Sequence, residues 1–342
     1  MSAGAGEVEL FLDDTPGETR GVVMRDGRYT HLIVERDDDL PQFRLGARSV
    51  GRVAEVAPGL RGAFVDLGGG PPAFLSGGGG DLPVQGESLD VVVSAEPRGG
   101  KGAVLRRMGA GEGRPRLLES AASLAAMLQD LAPDVPIVTG LAAIDAAQEA
   151  EEEALADQFA FPAFSLDLAV QRTRALVAVD VDHAPTAGRD PGQDRRRANV
   201  EGLRQAARLI GLKAWAGLVA IDVAGDGRDG EALLKAARAA FAHEPQAAFG
   251  PVSRFGLLQV SLPWRRTPVE EVLAPSPRRR AVTVARRLRR AMLANTASPR
   301  LVARCAPDEA AIAAPLVARL GPRAAVIADP AVPAGRAQIE ET

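Results

Sequence analysis

Two short apolar runs that each end in acid constrain this chain most: Ala175-Leu176-Val177-Ala178-Val179-Asp180-Val181-Asp182 and Leu218-Val219-Ala220-Ile221-Asp222. Continuous Val, Leu, Ile and Ala segments of this length read as strands buried in a sheet, which puts each aspartate where its strand leaves the core. Between them, 199–211 reads as a helix with Val200, Leu203, Ala206, Ala207 and Ile210 on one apolar stripe. Strand, helix, strand is a βαβ unit, and in such sheets ligands gather at the carboxyl ends of the strands. Asp180 and Asp182 are two residues apart, so both point to one face of an extended strand. The pattern predicts that Asp180 and Asp222 share a divalent metal ion.

The chain on either side has a different texture. Residues 7–36 alternate apolar and polar in three stretches, with turns at 14–17 and at Asp26-Gly27, which predicts an antiparallel meander. From 46 to 105, short strands around Gly51-Arg52-Val53, 62–67, Ala73-Phe74-Leu75 and 88–93 are separated by Gly- and Pro-rich turns, the signature of a small barrel such as an OB-fold. The Gly77 to Gly80 run reads as a flexible loop; without a strand-to-helix context or a following lysine it is a poor phosphate cradle. Residues 115–160 read as alanine-rich helix interrupted by a strand at 135–138, and the acidic run from Glu149 to Glu153 reads as a solvated helix face. Further on come a helix near 230–243 and a strand over 255–260. After a Pro-rich break at 268–277, a basic amphipathic helix runs over 278–293, expected on the surface with RNA contact as a second role, and a loose tail follows Pro330.

A length of 342 residues suffices for two or three packed units. The 41 basic and 44 acidic residues leave a formal net charge of -3, so any nucleic-acid footprint must be local. Lys101, Lys213 and Lys235 are the only lysines, arginine supplying the rest of the positive charge. The single cysteine, Cys305, excludes an internal disulfide and a paired-cysteine zinc site. No apolar run approaches the ~20 residues that span a bilayer, and the first residues lack a basic start followed by an apolar core, so a cytoplasmic protein is expected. Asp222, Asp226 and Asp229 resemble a calcium loop only faintly, because Ala224 occupies a required ligand position. His183 lies beside the acids as an incidental loop residue, and His31 and His243 have no companions.

From Arg52-Val53-Ala54-Glu55-Val56 through Gly62-Ala63-Phe64-Val65-Asp66-Leu67-Gly68, Ala73-Phe74-Leu75 and Glu96-Pro97-Arg98-Gly99-Gly100-Lys101-Gly102-Ala103, the chain resembles the S1-like domain of the ribonuclease E/G family. The resemblance resumes at Thr173 to Asp182, Ala198-Asn199-Val200-Glu201, 217–222 and Ser253-Arg254-Phe255-Gly256-Leu257-Leu258-Gln259-Val260-Ser261, in family order over roughly 7–265. It implies an α/β (α+β overall) chain in which an S1-like OB-fold barrel (41–108) is inserted into a split RNase H-like subdomain (1–40 and 109–165). A DNase I-like catalytic subdomain (166–275) follows, then the basic helix and C-terminal tail (276–342). It also implies a Mg²⁺-dependent endoribonuclease acting on single-stranded RNA. Asp180 and Asp222 fall on the family's metal-binding aspartates, and Asp182 falls where the family usually has asparagine, which would add a third carboxylate beside the metal. Phe64, Phe74 and Lys101 fall on positions that hold RNA on the barrel, although Phe64 could equally be barrel core.

Three departures shape the expectation. Asp182 adds like charge beside Asp180, which raises a carboxyl pKa or strengthens the demand for metal. Residues 106–117 are too few for the family's sensor of 5′-monophosphate ends. The lone Cys305 removes the family's zinc-linked dimer and leaves the oligomeric state open. An alternative reading is an RNA-binding protein that kept the barrel and lost turnover.

Overall fold

The alternating residues at the start of the chain form three antiparallel strands in the computed structural model, which describes residues 6–77, 82–225 and 229–341. These are β1 (Val8–Asp13), β2 (Glu18–Arg25) and β3 (Arg28–Arg36). Asp26 and Gly27 have φ of 51° and 68°, the paired positive values that a two-residue hairpin turn requires. Residues 78–80 of the expected glycine loop, and Asp226 of the rejected calcium loop, lie outside the described residues.

The next strands close on themselves. They are β4 (Arg48–Ala57), β5 (Gly62–Asp66), β6 (Ala73–Ser76), β7 (Ser88–Ala95) and β8 (Val104–Ala110). Their order is β5-β6-β8-β7-β4, with a further β4–β5 pairing that completes a five-stranded barrel consistent with an OB-like fold. Val53, Val65, Leu75, Leu89, Val91, Val93 and Leu105 fill its interior, as the strict inside–outside alternation of β7 anticipates. Residues 116–119, expected to be helical, instead form β9 (Arg116–Glu119) against β4, because Leu117 packs on the barrel core.

Beyond β9 the chain returns to the first sheet. α1 (Leu124–Leu131) covers one face, β10 (Ile137–Val138) pairs parallel with β1, and α2 (Leu141–Leu155) covers the other face. That sheet, ordered β10-β1-β2-β3, therefore draws strands from both sides of the barrel. The acidic run on α2 is only partly the solvated face expected: Glu149 and Glu152 are exposed, but Glu151 pairs with Arg20 and Arg279, Glu153 with Arg208 at 2.8 Å, and the Tyr29 hydroxyl donates to Glu149 at 2.7 Å.

A second mixed sheet follows, ordered β11-β12-β13-β14-β16-β15. It comprises β11 (Gln158–Phe161), β12 (Leu166–Arg172), β13 (Val177–His183), β14 (Gly217–Asp222), β15 (Ala248–Phe249) and β16 (Leu257–Leu262). α3 (Pro191–Leu212) connects β13 to the parallel β14, and α4 (Gly230–Ala240) lies beside it. α3 starts a full two turns before the predicted helix, because Asp190 caps it by accepting from the Gln193 N–H at 2.7 Å and Pro191 opens it. Leu203, Ala206, Ala207 and Ile210 are buried as the stripe predicts, but Val200 is 54% exposed and Asn199 turns inward instead. Gly202 lets the helix lie close on the sheet, since a Cβ there would stand 2.7 Å from a Val181 methyl.

The last part of the chain is an ordered unit, not a loose tail. After the short α5 (Val269–Val272) and α6 (Pro277–Ala294) come β17 (Leu301–Cys305), α7 (Pro307–Ala318), β18 (Ala324–Ala328) and β19 (Gln338–Glu341). β17 pairs parallel with β18 and antiparallel with β19, and α6 and α7 pack over it on Val284, Leu288, Ala313 and Val317. The arginines of α6 are spent within the fold: Arg286 on Asp13 at 2.7 Å and Glu18 at 3.0 Å, Arg280 on Glu309 at 2.7 Å, Arg290 on Asp145 at 2.5 Å and Arg289 on Asp14. Among the described residues, no helix is long and apolar enough to cross a membrane.

Candidate carboxylate site and barrel surface

β13 and β14 are neighbouring parallel strands, and their register pairs Val179 with Ile221 and Asp180 with Asp222. The two aspartates thus stand side by side at the carboxyl ends of adjacent strands, with backbones one strand spacing of about 4.8 Å apart. Val177, Val179, Val181, Val219 and Ile221 point into the core, so the alternate residues Asp180, Asp182 and Asp222 emerge on the opposite, exposed face. The expectation that Asp180 and Asp182 share a face holds. Across the sheet, Asp182 lies opposite Asp167 of β12, and Asp222 lies opposite Leu257 of β16. Asp167 was missed from the sequence, although the alternation Leu166-Asp167-Leu168 carries the signal that it faces the acids.

Asp182 is differently placed from the pair. Its Oδ1 accepts a hydrogen bond from the following backbone N–H, that of His183, at 2.8 Å. Among the described residues no group of three or more histidine, cysteine, aspartate or glutamate side chains converges on a common point. By register Asp180 and Asp222 are a pair, with Asp182 one step further out beside Asp167. Two exposed carboxylates with open surroundings fit Mg²⁺, which takes oxygen ligands and keeps several waters.

The pair is held from behind by α3. The Asn199 side chain accepts from the Ala224 N–H at 2.9 Å and donates to the Ala224 carbonyl at 3.0 Å, fixing the segment that leaves Asp222. His183 is not a loop residue but the last residue of β13, and its ring is buried: Nδ1 lies 3.0 Å from the Ser165 carbonyl and Nε2 lies 3.3 Å from Asp194. The Thr186 N–H and the Arg189 guanidinium hold the Asp194 carboxyl down at about 2, so the first turn of α3 carries a fixed anion behind the strand end. The helical stripe assigns Val200 to the core, so nothing in the sequence marks its neighbour Asn199 as a site residue.

On the barrel, Phe64 and Phe74 are register partners on β5 and β6, and both rings are half-buried on the outside of the wall. Their centroids are 5.5 Å apart at an interplanar angle of 63°. Phe64 is therefore outward-facing, since Ala63 and Val65 on either side of it fill the interior. Gly62 makes room for this pair: a Cβ there would stand 2.3 Å from the Phe74 ring. Lys101 is exposed in a tight hairpin that exchanges backbone hydrogen bonds with Arg98, two residues before the Ala103 carbonyl that accepts from the Phe74 N–H at 2.7 Å.

The barrel is anchored to the segment after β16. The Thr267 N–H donates to Glu96 at 3.0 Å, the Thr267 hydroxyl to the Pro97 carbonyl at 2.7 Å, and the Gly99 N–H to Glu271 at 2.7 Å. Trp264 is sandwiched there, with the Arg98 guanidinium 4.5 Å and that of Arg172 5.5 Å from its ring. This anchor adjoins Leu262, whose partner Gly217 begins β14, whereas Asp222 ends it. A cavity of about 410 Å³, lined by His31, Ile33, Ile210, Trp215, Phe241 and Leu262 among others, also lies at the Leu262 end, away from the carboxylates.

The chain matches no protein-family model and no curated protein, so the functional reading rests on its own residues and geometry.

Proposed function

We propose that this chain is a Mg²⁺-dependent endoribonuclease that hydrolyses phosphodiester bonds in single-stranded RNA, of the ribonuclease E/G type. The split first sheet would correspond to that family's RNase H-like part, the OB-like barrel to its S1-like domain, and the six-stranded sheet to its DNase I-like catalytic part. The observation that carries the reading is the register of Asp180 with Asp222 at the carboxyl ends of adjacent parallel strands, because the sequence blocks that resemble the family meet there in space.

In this reading Asp180 and Asp222 hold the metal. When bound, Mg²⁺ supplies a Lewis acid for a phosphoryl oxygen and lowers the pKa of a coordinated water. The protein's share is placement: the two strands fix the carboxylates, Asn199 fixes the segment after Asp222, and no protein nucleophile is required. On the barrel, Phe64 and Phe74 offer aromatic faces and edges to bases at about 1–3 kcal/mol per stacked base, and Lys101 offers a charge to phosphate. Neither contact reads sequence, which suits a substrate chosen for being single-stranded.

A second reading, an RNA-binding protein without turnover, is favoured by one observation: among the described residues no group of three or more ligating side chains comes together at the site. End-labelled single-stranded RNA and its duplex, incubated with Mg²⁺ or with EDTA, separate the two. Cutting of the single strand in Mg²⁺ alone supports the nuclease. Tight binding without cutting supports the second reading, and neither binding nor cutting removes both.

A further inference from the structure

An exposed aromatic lies two residues before the register partner of Asp222, at the end of the sheet where the carboxylate pair emerges. Phe255 is 76% exposed, the most exposed of the large apolar side chains outside the barrel. It sits in the turn 253–256 that leads into β16, two residues before Leu257, and Leu257 is the register partner of Asp222. An apolar side chain of this size left in water has an unrealised burial energy, and the chain keeps it there on a stiff support.

The support is a self-braced turn. The Ser253 hydroxyl oxygen accepts from the Phe255 N–H at 3.3 Å and from the Leu257 N–H at 3.2 Å, the Gly256 N–H donates to the Ser253 carbonyl at 3.0 Å, and the Ser253 N–H donates to the Leu257 carbonyl at 2.9 Å. Gly256 takes a φ of 85°, which a side-chain-bearing residue would rarely adopt. The backbone under Phe255 is thus pinned on both sides. The Arg254 guanidinium lies 4.9 Å from the centre of the Phe255 ring, giving a cationic, planar partner next to an aromatic one.

We propose that Phe255, flanked by Arg254, is a stacking platform for a nucleobase of the RNA strand adjacent to the bond being cut. The occupant follows from the surroundings: an anionic ligand that must also present a planar face, at the edge of a site whose metal-binding carboxylates take a phosphodiester. The guanidinium meets the neighbouring phosphate and the ring meets the base. This platform is distinct from Phe64 and Phe74, which lie on the barrel; it rests on the ribonuclease reading above and gives that site its nearest substrate contact. Its effect is on holding and aligning the strand at the carboxylates, so Phe255 is a positioning residue for the reaction.

The test uses a single-stranded RNA carrying 2-aminopurine, whose fluorescence falls on stacking, with wild type, Phe255→Ala and Phe255→Trp, in Mg²⁺ for cleavage and in EDTA for binding. Because the side chain is exposed, all three proteins are expected to melt together, and the melt is recorded alongside. Stacking at the usual strength predicts a loss of about 5- to 150-fold in kcat/KM for Phe255→Ala, with restoration by Phe255→Trp and quenching absent only in the alanine variant. If wild type cleaves and Phe255→Ala cleaves and quenches equally well, the platform is overturned while the ribonuclease reading stands. If wild type neither binds nor cleaves the RNA, the ribonuclease reading falls and takes the platform with it.

Discussion

At the residue scale, the proposed site turns on which carboxylates stand together. Asp180 and Asp222 share a register position, while Asp182 is engaged by the His183 backbone and looks across to Asp167. Asp182→Asn keeps the hydrogen-bonding oxygen, so Mg²⁺ affinity measured by calorimetry should stay within about threefold of wild type. A much weaker affinity would make Asp182 a ligand after all. Asn199 is the residue that the sequence concealed. Asn199→Ala orphans the Ala224 N–H and carbonyl, at a cost of about 1–3 kcal/mol in urea unfolding. If the segment beyond Asp222 matters for alignment, kcat should fall by about tenfold or more with RNA affinity unchanged. A loss of affinity with kcat intact would assign Asn199 to binding instead.

At the element scale, what was legible followed from periodicity. The β13–α3–β14 unit was readable because its strands are apolar runs that end in acid, and the barrel because its strands alternate between turn signals. The meander was readable from Asp26-Gly27. Elements held by long-range contacts were not: β9 is a strand only because Leu117 meets the barrel, and β17–β19 with α7 form a unit whose five-residue and four-residue strands carry no pattern of their own. The arginines of α6 looked like an RNA path because their acidic partners lie as far away as Asp13 and Glu18 in sequence. β9 has a functional consequence as well. It uses the segment after β8 to extend the barrel sheet, and the proposed ribonuclease then has 106–119 committed to the barrel, not to a sensor of 5′ ends. Matched RNAs with 5′-monophosphate and 5′-hydroxyl ends should therefore be cut at equal rates, and a clear monophosphate preference would refute this.

At the scale of the whole molecule, one continuous core runs from Phe11, Val22 and Leu32 of the first sheet through the alanines of α2 to Leu203 on α3 and Val179 and Ile221 of the second sheet. The barrel has its own core and is tied on through Glu96 and Thr267. The carboxylate pair is thus built on the largest packed body, with the barrel docked beside it. That body contains groups that make it acid-sensitive. Burial would raise the Glu18 carboxyl, but Arg20, Arg286 and Arg36 outweigh it and hold it at about 2 instead of 4.5. Its contribution is present above pH 4.5 and is lost as pH falls toward 2. Burial, reinforced by His243, lowers His31 from 6.5 to about 4, so the unfolded chain takes up a proton first and stability declines from pH 6.5 toward 4. Both act in the same direction but in different windows: the melting temperature should fall from pH 7 to pH 4 through His31 and further below pH 4.5 through Glu18. A flat profile from pH 7 to pH 4 would show that His31 is not buried as described, and a flat profile below pH 4.5 that Glu18 does not keep its arginine partners.

We propose that Asp180 and Asp222 together make a metal-dependent centre for cutting RNA. The most direct measurement is the cleavage rate of a fluorophore–quencher single-stranded RNA across a Mg²⁺ titration for wild type, Asp180→Ala and Asp222→Ala. A saturable, EDTA-sensitive rate is expected in wild type and lost in both variants, with folding intact because both side chains are exposed. Cleavage that persists in either variant, or wild-type RNA left whole at every Mg²⁺ concentration, would contradict it.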